Sequence, residues 1–213
     1  MRFHNRVDAG RSLAAKLTVY AQRSDVIVLA LPRGGVPVGF EVARALQAPL
    51  DVFLVRKLGV PGHPELAMGA IASGGVRVLS DDILRHLAIP PAAVEQVTAR
   101  ERVELERRDR MYRGDRAPTP LGDRTVILVD DGLATGATME AAILAVRQSQ
   151  PRRVVVGAPV GAVETCQRLE TIADEVVCAL MPEPFQAVGL WYEYFDQTSD
   201  DEVIELLRQG VQG

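Results

Sequence analysis

Two adjacent carboxylates, Asp130 and Asp131, stand between an aliphatic run, Val126 to Val129, and a string of small or hydroxylated residues: Gly132, Ala134, Thr135, Gly136, Ala137 and Thr138. The aliphatic run has the composition of a strand buried on both faces. Met139 to Gln148, with Ile143, Leu144, Val146 and several alanines, reads as a helix. Strand, small-residue loop and helix is the geometry in which backbone N–H groups at a helix N-terminus face an anion. Glycine lets the backbone close in on a phosphate, and threonine hydroxyls add donors. The two aspartates would repel that anion, so they suit a polyol or a metal ion held beside it. A loop that takes one phosphate, with carboxylates poised for adjacent hydroxyls, describes a site for a ribose 5-phosphate. A Walker phosphate loop is excluded because no lysine follows Gly136, and the dinucleotide fingerprint is absent.

The same stretch resembles the phosphoribosyl pyrophosphate (PRPP) motif of type I phosphoribosyltransferases, in which a hydrophobic strand and two acidic residues lead into Ala-Thr-Gly-x-Thr. The resemblance implies that Ala134, Thr135, Gly136, Ala137 and Thr138 cradle the 5-phosphate. It implies that Asp130 and Asp131 are the catalytic acids, holding the ribose 2- and 3-hydroxyls directly or through water and Mg²⁺.

The elements that must position this loop follow from pattern. Asp8 is placed to cap a helix through about Arg23, with Leu13, Leu17 and Tyr20 on one face. Val26 to Leu31 is a parallel-type strand that runs into Pro32-Arg-Gly-Gly-Val36, and a helix follows from about Pro37 to Gln47. This second strand-loop-helix unit presents Arg33, Gly34 and Gly35 at a strand's carboxyl end, where open α/β sheets bind ligands. In the resembled family this loop holds pyrophosphate. Leu50 to Val55 reads as the next strand, ending in Arg56-Lys57, two cations suited to a diphosphate. That pair resembles the matching strand end of adenine phosphoribosyltransferases.

Leu58 to Glu65 carries two glycines and two prolines and reads as a loop. In the family a mobile lid follows this strand, which would bring His63 and Glu65 within reach. Ala67 to Ala72 and Val76 to Leu79, joined by Ser-Gly-Gly, read as an antiparallel hairpin. Ser80 is placed to cap a short helix from Asp81 to Leu87. Pro90-Pro91 opens a long helix to about Arg113, with Glu104 and Arg108, Glu106 and Arg110, and Asp109 and Arg113 spaced as i,i+4 pairs. It reads as a solvated helix that props up the lid or packs in a homodimer. Gly114 to Gly122 is a linker, Arg153 to Ala158 a strand, Ala162 to Leu169 a helix, and Asp174 to Ala179 the last core strand.

Met181 to Phe195 holds five aromatic residues, and flat rings suit a flat acceptor. This tail resembles that of hypoxanthine-guanine phosphoribosyltransferases. Phe185 then takes the place of the stacking ring, with Trp191 as a second acceptor-binding ring. Glu193 stands where that family has an acid near a metal-bound water. The match has one extra residue between Phe185 and Val188-Gly189. The phosphate loop also departs from the 6-oxopurine enzymes, which carry an aspartate where Ala134 stands, so the acceptor stays open. A terminal helix near Asp200 to Gln209 has Val203, Ile204 and Leu207 as its buried face.

The expected fold is doubly wound α/β, with a mainly parallel sheet of about five core strands, the type I phosphoribosyltransferase fold. It forms a single domain over 1–213: a core at about 8–57 and 123–180, a lid insertion at about 58–122 and a C-terminal hood at about 181–213. The implied activity is Mg²⁺-dependent transfer of a phosphoribosyl group from PRPP to a small-molecule nitrogen acceptor in nucleotide metabolism. A PRPP- or nucleotide-sensing regulator and a phosphohydrolase using the same loop are the alternatives. The formal charge of −4 gives no basic bias, so no nucleic acid is expected. No apolar run suggests a membrane partner, and two widely spaced cysteines fit a reducing, cytoplasmic setting.

Overall fold

The computed structural model describes residues 2–210. Five parallel strands form the central sheet, in the order β2 (Leu50–Val52), β1 (Val26–Ala30), β6 (Thr125–Val129), β7 (Arg153–Val160), β8 (Glu175–Leu180). β1 and β6 pair in register from Val26 with Thr125 to Ala30 with Val129. Every residue of both strands is buried, which is why they read as unbroken aliphatic runs. Alternation sends Ile127 and Val129 to one core, beneath α1 (Arg6–Lys16), α2 (Gly35–Leu46) and α7 (Asp200–Gly210). Val126 and Leu128 face the other core, beneath α5 (Ala137–Arg147) and α6 (Val163–Glu170). The doubly wound parallel sheet is therefore as expected. Among the described residues no helix is long and apolar enough to cross a membrane.

Several element boundaries differ from those expected. Asn5, not Asp8, caps α1: its side-chain oxygen accepts from the Asp8 amide at 3.0 Å. The helix stops at Lys16, and Thr18–Tyr20 forms a separate 3-10 turn. β2 ends at Val52 because the chain changes partners there. The Leu54 amide donates to Ser73 Oγ at 3.1 Å and the Ser73 amide to Leu54 O at 2.9 Å. Arg56 and Lys57 thus leave the parallel sheet and lie on β3 (Val55–Val60) of a second, antiparallel sheet with β4 (His63–Ala72) and β5 (Arg77–Leu79).

The glycine- and proline-rich stretch at 58–65 is accordingly not an irregular loop. Val60 pairs with His63 across Pro61-Gly62, and Gly62 has φ +81°, the residue order of a type II turn. Bulges on either side of Gly59 absorb the remaining irregularity, where Gly59 abuts the Pro64 backbone. His63 is exposed on this hairpin, and the side chain of Glu65 lies outside the described residues.

The rest of the insertion follows its pattern. Ser80 Oγ accepts from the Ile83 amide and caps α3 (Asp81–His86), and α4 spans Pro91–Arg113. Of the three expected pairs on α4, Glu104–Arg108 (2.7 Å) and Asp109–Arg113 form. Arg110 instead donates to the Glu106 carbonyl at 3.4 Å. On α7, Val203 and Leu207 are buried but Ile204 is exposed.

Candidate active site

β1 and β6 are neighbours, so the loops after them meet at one sheet edge. The approach is close: a Cβ on Gly34 would stand 1.9 Å from Asp131 Oδ2. Only glycine lets the 33–35 loop lie against the acid pair. The Leu31 amide donates to Val129 O at 2.8 Å and ties the two loops at their roots. Sequence-predicted Gly34, Gly35, Asp130 and Asp131 are therefore brought together.

Gly136 caps α5 with φ +68°, a left-handed conformation open to glycine and strained for a branched residue. Helix α6 braces the loop from outside. Thr165 Oγ donates to Ala134 O at 2.5 Å, and Arg168 donates to Thr135 O. With those carbonyls turned toward α6, the planar peptide turns the Thr135 and Gly136 amides the other way. The first amides of α5 also lack intrahelical partners. Thr135, Thr138 and Ala134 are exposed, so the loop offers amides and hydroxyls to solvent as an anion cradle would. Thr165 and Arg168 carry no sequence motif; only the packing of α6 gives them this role.

Asp130 is pushed well above the usual carboxylate range by burial and by the charge of Asp131 beside it. Its Oδ1 accepts from the Asp131 amide at 2.8 Å. Asp131 is also raised, by burial, with Arg6 opposing the shift. Arg6 Nε donates to Asp131 Oδ2 at 2.9 Å, and the Tyr192 hydroxyl donates to the Asp131 carbonyl at 2.6 Å. Neither Arg6 nor Tyr192 carries a sequence signal that links it to residue 131. Two carboxylates against one guanidinium leave a site that gains from an added cation.

Among the described residues no three His, Cys, Asp or Glu side chains form a metal cage. Two adjacent carboxylates nevertheless fit Mg²⁺, which is held through one or two carboxylates, waters and substrate phosphates. Glu193 does not join the pair; it bonds His4 Nδ1 at 2.9 Å and is exposed.

The remaining candidates are dispersed. Arg33 lies 3.8 Å from Asp200. Arg56 is engaged by Glu101 of α4 at 2.6 Å, whereas Lys57 is exposed. A groove of about 850 Å³ separates the hairpin from α4, with Arg56, Lys57, Arg100 and Thr138 on its walls. It reaches Thr138 at the end of the 134–138 loop but is not lined by the acid pair. Phe185 and Trp191 pack beside the small cluster of Phe3, Ala9, Val160 and Tyr192. The indole N–H of Trp191 is buried with no partner among the described residues.

Comparison with known proteins agrees with this geometry. The phosphoribosyl transferase domain model matches residues 2–190. Two Mycobacterium tuberculosis proteins, from strains CDC 1551 and H37Rv, are each named "Putative phosphoribosyl transferase". Each is 50% identical over 205 residues, covering 96% of this chain and 46% of the relative. The chain thus spans about half the length of these curated relatives. The crystal structure of TT1426 from Thermus thermophilus superposes with a TM-score of 0.90 at 45% identity, covering 99% of this chain and 100% of that one. With a matching domain over nearly its whole length and the loops of that domain assembled at one sheet edge, the chain belongs to the phosphoribosyl transferase family.

Proposed function

We propose that the protein transfers the 5-phosphoribosyl group of PRPP to a nitrogen acceptor, a nucleobase in the first instance, and releases pyrophosphate in the cytoplasm. The observation that carries this reading is the contact of Gly34 with Asp131. It brings a glycine loop against the two carboxylates that lead into the Gly136 turn, an arrangement that suits a ribose bearing groups at both ends. In this reading Ala134 to Thr138 take the 5-phosphate, and Asp130 and Asp131 take the ribose hydroxyls. Gly34, Gly35, Arg33 and Lys57 face the pyrophosphate. Mg²⁺, when bound, neutralises diphosphate charge.

The bond from the anomeric carbon to pyrophosphate breaks, and the oxygen keeps the electron pair. The acceptor nitrogen supplies the pair for the new bond, and its proton passes to solvent. The sugar carries positive charge as the old bond breaks, and the fixed carboxylates stabilise it. The protein otherwise contributes placement. Arg56, spent on Glu101, becomes available only if that ion pair opens.

A screen of nucleobases and small amines for PRPP- and Mg²⁺-dependent pyrophosphate release tests the reading. Release that depends on an acceptor supports it. Saturable PRPP binding without turnover identifies a sensor, and phosphate loss without an acceptor identifies a hydrolase. Stacking is worth about 1–3 kcal/mol per base, so Phe185→Ala should raise the acceptor KM about ten- to a hundredfold and spare PRPP affinity. Unchanged acceptor kinetics in both Phe185→Ala and Trp191→Ala would reduce the tail to packing.

A further inference from the structure

The residues before and at the start of α1 meet the segment 191–196, which precedes α7, over Asp131. The Phe3 amide donates to Trp191 O at 2.8 Å, the Glu193 amide to Phe3 O at 2.9 Å, and the Tyr194 amide to His4 O at 3.0 Å. This short pairing delivers two groups to one aspartate. Arg6, at the start of α1, bonds the carboxylate through Nε, and Tyr192, on the tail, bonds the carbonyl. Arg6 is itself held on three sides. Its Nη1 donates to Asp196 O at 2.6 Å, its guanidinium lies 4.0 Å from the centroid of the Phe195 ring, and Phe195 packs tilted against Tyr192 with centroids 4.8 Å apart. The Arg6 and Asp131 side chains are only 13% and 16% exposed. Arg6 Nε would also lie 3.3 Å from a Cβ on Gly34, so it stands where the two ligand loops meet.

We propose that Arg6 is a positioning residue for Asp131. Its rigid fork engages Oδ2 and fixes the rotamer of the carboxylate. Arg6 engages Oδ2 and not Oδ1, and Oδ1 is the oxygen offered to the ribose. The same grip couples the tail to the acid: Trp191, a candidate acceptor ring, immediately precedes Tyr192. Arg6 thus acts on the reaction only through Asp131, and this role rests on the phosphoribosyl-transfer reading above.

Arg6→Met should lower kcat about ten- to a hundredfold, the scale of a carboxylate displaced by an ångström, with the KM for PRPP changing far less. Arg6→Lys should recover part of the loss, since an ammonium reaches Oδ2 but cannot also hold Asp196 O. The deciding measurement is a double-mutant cycle: in an Asp131→Asn background, Arg6→Met should add almost nothing. A purely structural Arg6 would cost the same in both backgrounds, and that result, or wild-type kcat in Arg6→Met, overturns the proposal. Absence of turnover in the wild type with every acceptor would instead overturn the transferase reading. The Arg6 Nε–H signal in ¹⁵N NMR then decides the Arg6 assignment on its own. A signal displaced by Asp131→Asn and by added PRPP supports it; one unmoved by either overturns it.

Discussion

At Gly136 a single backbone angle supports the proposed phosphate cradle. Its φ of +68° turns the chain into α5, and a Cβ there would meet Thr165 Cγ2 at 2.5 Å. Thr165 in turn holds the Ala134 carbonyl, so a side chain at 136 both strains the backbone and pushes on the brace. Gly136→Val should cost about 1–3 kcal/mol in backbone strain and abolish binding of ribose 5-phosphate as well as PRPP. Calorimetry with both ligands checks this. Retained ribose 5-phosphate affinity in a folded variant would put the phosphate elsewhere. The motif spacing from Asp130 to Thr138 was legible because the turn into α5 requires small residues locally, glycine above all at the left-handed position 136. Arg6 and Tyr192 were not, because nothing near them in the chain records what they touch.

The insertion between β2 and β6 is fastened to the core by particular elements. The Tyr112 hydroxyl, on α4, donates to Asp200 Oδ1 at 2.5 Å, at the start of α7. Burial, and then the bond to Asp200, push the Tyr112 phenol up to about 12 from its ordinary 10. Between those values the folded state keeps a proton that the unfolded chain releases, so stability falls as pH rises through this window. The contribution is fully present below pH 10 and gone above about 12. Tyr112→Phe should therefore lower stability at pH 8 and flatten the decline from pH 10 to 12, as read by thermal unfolding across that range. Part of the slope should persist, because Tyr20 is also raised by burial and by its bond to Glu175. An unchanged slope would mean that the Tyr112 phenol is not held buried beside Asp200 in solution. The hairpin teaches a related lesson about elements. Proline and glycine at 61 and 62 signal a turn whether the flanks are loop or strand, and only pairing with β4 distinguishes the two.

Across the whole molecule, the junction between core sheet and insertion rests on a buried charge. Arg113, at the end of α4, is 5% exposed, and Asp51, on β2, is 8% exposed. Arg113 Nε donates to Asp51 Oδ1 at 3.0 Å, and its two Nη groups reach Asp109 and Val52 O. Thr119 Oγ, on the linker back to β6, donates to Asp51 Oδ2 at 3.2 Å. Helix, strand and linker therefore share one carboxylate. Arg113→Met should destabilise the protein by about 3–5 kcal/mol, because it strands Asp51 in the interior. At about 2–4 °C per kcal/mol for a chain of this size, Tm should fall by roughly 6–20 °C. Pairing it with Asp51→Leu should restore most of the loss. A Tm unaltered by Arg113→Met would show that water, not Arg113, satisfies Asp51.

The sequence by itself determined the parallel core, the glycine-rich loops after β1 and β6 and the family. Buried parallel strands must be aliphatic throughout, and a phosphate loop must be small and hydroxylated, so both leave a local record in residue types. It did not determine that Arg56 and Lys57 leave the core sheet for an antiparallel hairpin. The partner that withdraws the chain from β1 is Ser73, on the far side of that hairpin. Nor did it determine that the start of α1 and the segment before α7 close over Asp131, through contacts of Arg6 and Tyr192 made 125 and 61 positions apart. Such contacts depend on where the sheet carries its loops and termini. Residue type near position 6 or 192 says nothing of that until the chain is folded.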